Sequence, residues 1–154
     1  EMLLGLDAPQ AGAILLSGID MRDLSRGALR RDVQQIGTAP DILQGSLRRA
    51  LLMGCDIRPD DDALTHMARD AGLAGLLERV GGLGGTVLEG GKNLGRAERL
   101  AISLVRIRLS QPRLVLLGPD LNDALAKQLL ADLSAKRRTL IRIHPHANAS
   151  QSAA

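Results

Sequence analysis

The sequence predicts an α/β fold with a parallel sheet, and three features carry that prediction. "RLVLL" at residues 113–117 is a continuous apolar run, the pattern of a strand buried on both faces of a parallel sheet. "DALAKQLLADLSAK" at 123–136 spaces its apolar residues as an amphipathic helix, and "TLIRI" at 139–143 reads as a second strand. Strand, helix and strand in this order make a βαβ unit with a right-handed crossover. Third, the helices concentrate in the middle of the chain, ahead of this unit.

Local signals place the other elements. "GAILLSGIDM" (12–21) is a short apolar run bounded by glycines and predicts a strand with its turn. "DLSRGALRRDV" (23–33) spaces Leu24, Leu29 and Val33 as a short helix. "QQIGTAP" (34–40) reads as a brief strand stopped by Pro40. Ser46 caps a helix through Met53, and another starts at Asp60–Asp62, whose carboxylates suit the positive end of a helix dipole, and runs to Ala71. "LAGLLERV" (73–80) adds a further turn or two. A glycine-rich loop then leads into a helix from Arg96 to Leu109. Such loops at helix starts are where proteins hold phosphate, because unpaired N–H groups and the dipole converge there. The polar tail "HANASQSAA" predicts a frayed end.

Composition narrows the function classes. The chain has 154 residues, enough for one core or one lobe of a larger domain, and starting on Glu1 suggests a fragment of a longer protein. No apolar run approaches the length of a membrane span, and "EMLLGL" lacks the basic start of a signal peptide. The single cysteine, Cys55, excludes an internal disulfide framework and has no identifiable histidine partner for catalysis. Net charge is +3 and the sequence pI about 9.7, but the basic residues are scattered in pairs and triplets. With no Phe, Tyr or Trp at all, nothing can stack on bases, so nucleic acid is not an expected partner. The core must be built from Leu, Ile, Val, Ala and Met.

Three stretches in order carry a more specific reading. "LLGLDAPQAGAILLSGIDMRDLSRGALRRDV" has a turn, a strand and a "DG-D-R-L…LR" arrangement; "LQGSLRRALLMG" is similar to a "GS-I-R-E-N-I" element. "GGTVLEGGKNLGRAERLAISLVRIRLSQPRLVLL" follows the order "G-T-V-E-G-G-LSGGQ", then a helix with Arg106 in an "ARALL" position, then a proline and a strand. Together they resemble the nucleotide-binding domain of ABC transporters, particularly the exporter type, over nearly all of residues 1 to 143. The resemblance implies a partial P-loop NTPase-like parallel sheet with a helical subdomain. Residues 1–154 are then a single partial cassette, with 46–110 the helical subdomain and signature helix and 113–143 the βαβ of the core. It also implies ATP and Mg2+ as cofactors, a second cassette and a transporter membrane domain as partners, and a place at the cytoplasmic face of the membrane.

The same comparison assigns candidate residues and departures. No Walker A string, G-x-x-x-x-G-K-[ST], occurs, and "EMLLGL" resembles the tail of the helix that follows it, so the chain is expected to begin a few residues late. Asp41 stands in the Q-loop slot. The signature reads Leu94, Gly95, Arg96, Ala97, Glu98 in place of LSGGQ, which loses the serine and the second glycine. Gly118 stands where Walker B has Asp-Glu, leaving Asp120 as the nearest carboxylate and a weak catalytic candidate. Asp123 falls in the D-loop slot, and His144 or His146 in the place of the switch histidine. No metal-ligating set is read from the residues.

Each candidate has a plainer reading. Residues 84–91 also suit a flexible connector; Glu98 suits a helix cap; Asp120 and Asp123 suit N-caps; His144 and His146 suit surface histidines. Two functional classes follow. One is the ATP-binding cassette of an ABC transporter, unable to hydrolyse ATP by itself. The other is a non-catalytic remnant or interaction module with no nucleotide role, the product of a decayed or artificial sequence included.

Overall fold

The computed structural model describes residues 11–37, 40–118, 121 and 139–142. Its fold is mixed α/β. Three parallel strands lie in the order β3 (Val33–Ile36), β6 (Leu114–Leu117), β7 (Thr139–Arg142). Val33 pairs with Leu114 and Ile36 with Leu117 on one side of β6; Leu114 pairs with Thr139 and Leu117 with Arg142 on the other. The parallel pairing of Leu114–Leu117 with Thr139–Arg142 is as the sequence predicts. The helix expected at 123–136, the crossover it forms and the polar tail lie outside the described residues.

Every residue of β6 is buried. Side chains two apart share a face of a strand, and this sorts β6 between two layers. Leu114 and Leu116 pack with Met21, Leu29 and Val33. Val115 and Leu117 pack on the opposite face with Ile36, Leu100, Leu104 and Ile107. A strand covered on both faces has no solvent side, which is why its sequence is an unbroken apolar run.

The helices α2 (Leu47–Leu52), α3 (Asp61–Ala68) and α4 (Ala74–Val80) form a lobe with α5 (Arg96–Ser110). Its core gathers Leu47, Leu51, Leu64, Leu73, Leu76 and Ile102, none more than 1% exposed. Aliphatic side chains and Cys55 fill the space that aromatics usually fill. The helix starts are capped as their sequences require. Ser46 Oγ accepts the Arg49 amide at 3.2 Å, and the Asp60 carboxylate accepts the Ala63 amide at 2.8 Å. Ser25 does the same for α1 (Arg26–Asp32), accepting the Ala28 amide at 3.1 Å.

Two expectations need correction. The run at 12–21 is not one strand with a turn but a hairpin, β1 (Leu15–Leu16) paired antiparallel with β2 (Ile19–Asp20). Its turn falls on Ser17 and Gly18, both with positive φ (53° and 83°), the geometry that two-residue hairpins favour. The helix expected to reach Ala71 ends at Ala68, where Arg69–Leu73 forms a wider helical turn before α4. A second small ladder, β4 (Gly45–Ser46) with β5 (Thr86–Val87), ties the start of α2 to the glycine-rich loop. Among the described residues no helix is long and apolar enough to cross a membrane.

Candidate functional site

The head of α5 carries five consecutive predicted site residues, Leu94 to Glu98. Gly95 is its N-cap and has no side chain to offer the first amides of the helix. Glu98 instead satisfies the cap residue itself: its carboxylate turns back and accepts the Gly95 amide at 2.7 Å. Arg79, in the last turn of α4, grips the same carboxylate with two N–H groups, Nη1 to Oε1 at 2.8 Å and Nη2 to Oε2 at 3.0 Å. This fork-to-fork geometry is the strong form of a charge-assisted pair. Arg79 Nη2 also donates to the Asn93 carbonyl at 3.1 Å. The Arg79 bonds hold the Glu98 carboxyl below the usual carboxylate range; the Gly95 amide adds to this and partial burial opposes it.

The loop ahead of the helix is tied down from both sides. The Asn93 side chain accepts the Leu88 amide at 3.0 Å and donates to the Thr86 carbonyl at 2.9 Å. Arg99 reaches back from α5 to the carbonyls of Gly91 (3.0 Å) and Leu94 (3.3 Å). Gly91 has φ +66°, and a Cβ there lies 3.0 Å from Ile42 Cδ1, so both conformation and space select glycine. The Gly90 amide donates to the Ile42 carbonyl at 3.0 Å, joining the loop to the segment after β3.

Leu94 is buried, Gly95, Arg96 and Ala97 are exposed in a row, and Glu98 is partly buried. Asp41 is exposed at the edge of a cleft of about 290 Å³, lined also by Gln34, Met53, Ser103 and Arg106. Its carbonyl accepts Arg106 Nη1 at 3.0 Å, while Arg106 Nε donates to the Ala50 carbonyl at 2.8 Å. Arg106 thus links α5, the end of α2 and the Asp41 segment. Its buried Nη2 finds no partner among the described residues, and burial pushes the guanidinium below its ordinary range. Gly118 follows β6, its amide donating to the Ile36 carbonyl at 2.8 Å. Asp120, Asp123, His144 and His146 lie outside the described residues. Cys55 is buried in the helical core, where desolvation pushes its thiol up, away from the thiolate a nucleophile needs.

Three residues of the site escape a reading of the sequence. Arg79 is nineteen positions from Glu98, a separation without helical periodicity, and nothing local announces the pair. Asn93 and Arg99 flank the signature residues and act on backbone atoms, which sequence patterns do not display.

No family model matches the chain. Among characterised proteins it is similar to the mycobactin import ATP-binding/permease protein IrtB of Mycolicibacterium thermoresistibile, at 35% identity over 126 residues, covering 81% of this chain and 21% of that protein. The protein of the same description from Mycolicibacterium smegmatis is 30% identical over 150 residues, with 92% of this chain and 26% of that protein covered. The glutathione/L-cysteine transport system ATP-binding/permease protein CydD of Haemophilus influenzae is 26% identical over 152 residues, with 94% and 25% covered. The chain therefore spans about a fifth to a quarter of the length of these relatives. A solved bacterial Atm1-family ABC exporter with ATP bound superposes with a TM-score of 0.76 over 94% of this chain and 26% of that chain, at 20% identity, a likeness of fold. The relatives of this chain are ABC transporter proteins of the ATP-binding/permease kind, and its fold is shared with part of an ABC exporter.

Proposed function

We propose that the chain is a partial ATP-binding cassette domain of an ABC transporter, that it does not hydrolyse ATP by itself, and that it works by presenting the head of α5 to a second cassette. One observation carries this reading: Gly95, Arg96 and Ala97 stand exposed in a row at the start of a fifteen-residue helix, on a loop fastened to α4 and to the Ile42 segment. In the family the chain resembles, two cassettes sandwich ATP head to tail, so each signature loop faces the other subunit's Walker A. The signature face of one subunit then completes its partner's site. Leu94 to Glu98 form that face, and a transporter membrane domain at the cytoplasmic face of the membrane is the further partner.

The fit to ATP and Mg2+ is partial. The amides of residues 95–97 and the Arg96 side chain are the groups for an anionic oxygen, but the Gly95 amide is already engaged by Glu98. Among the described residues no three His, Cys, Asp or Glu side chains gather to hold a metal ion. The engaged amide also favours the second reading, an interaction module without a nucleotide role.

Titration of the chain against an intact exporter cassette separates the two. ATP-dependent association that Arg96→Glu abolishes supports the cassette reading. Association indifferent to ATP supports the module, and binding unchanged by Arg96→Glu removes Arg96 from the face. Phosphate release by the purified chain alone, lost in Asp120→Asn, contradicts the inactivity proposed here.

A further inference from the structure

We draw no further inference here: the strongest candidate, the largely apolar cleft of about 500 Å³ between the β1–β2 hairpin and β7, lined by Leu15, Leu16, Leu114 and Ile141 among others, carries nothing because nothing in the structure shows what covers it.

Discussion

Gly84 and Gly85 are neighbours of identical chemistry, yet the structure gives alanine opposite effects at the two. An ideal Cβ on Gly85 lies 2.2 Å from the Val80 carbonyl oxygen, 2.4 Å from Val80 Cγ2 and 2.5 Å from Val80 Cβ. The first distance is about 1.3 Å short of the roughly 3.5 Å at which such contacts become favourable. The obstacle is backbone at the end of α4, which cannot swing aside as a side-chain tip can. Relief by moving residue 85 instead breaks its own bonds: its carbonyl accepts the Leu47 amide at 2.8 Å and its amide donates to the Gly82 carbonyl at 3.1 Å. Overpacking costs about 1–3 kcal/mol and loss of a net hydrogen bond about 1 more, so Gly85→Ala should destabilise by about 3 kcal/mol. At the size of this chain that is a fall in Tm of about 6–12 °C. A Cβ on Gly84 meets nothing within 4 Å, so Gly84→Ala should be neutral or stabilise by up to about 1 kcal/mol through the unfolded state. Urea denaturation of the three proteins reads both signs. A Gly85→Ala midpoint within about 0.5 kcal/mol of the unmodified chain refutes the close approach of α4 and the glycine-rich loop.

Arg106→Ala should cost about 2–4 kcal/mol in urea unfolding, because the carbonyls of Ala50 and Asp41 lose their donor; an unchanged midpoint removes Arg106 as the link between them. Asn93→Ala should speed hydrogen exchange of the Leu88 amide by about 10-fold while leaving α5 protected, and uniform acceleration across the chain would contradict a local role. Glu98→Gln should lower stability at neutral pH. The folded Glu98 carboxyl lies below its ordinary range, so its contribution is fully present above the unfolded pKa and is lost as pH falls through the folded one. The gap between the two proteins should therefore close on acidification from about pH 5 downward, and a gap that persists at pH 2 contradicts the ionised pair.

Much of the fold was legible because its cues are local. Ser25, Ser46 and Asp60 announce helix starts by side-chain chemistry within three residues, and the unbroken run at 113–117 encodes a strand covered on both faces. In sequence the hairpin at Leu15–Asp20 looks like one strand with its turn, because Ser17 and Gly18 sit inside an apolar run and interrupt it for only two residues. The early end of α3 follows from Gly72, whose φ of 93° no helix interior tolerates, while its neighbours Asp70 and Ala71 fit a helix. At the site, the sequence located the head of α5 and the capping tendency of Glu98. It did not reveal Arg79, since the ion pair exists only once α4 and the loop have folded back over nineteen residues.

The longest helix serves two hydrophobic layers at once. Ala101, Ile102, Val105 and Leu109 of α5 belong to the helical lobe, while Leu100, Leu104 and Ile107 belong to the layer against the sheet. Beyond its first turn, α5 has little circumference left for solvent, and a change in side-chain volume must satisfy two separate packing problems. Drift of sequence along this helix is therefore restricted nearly all the way round. At its head, where Gly95, Arg96 and Ala97 are exposed, the restriction lifts. The helix is a fixed stem with a replaceable tip, and chemistry at the tip can change without repacking the stem that aims it.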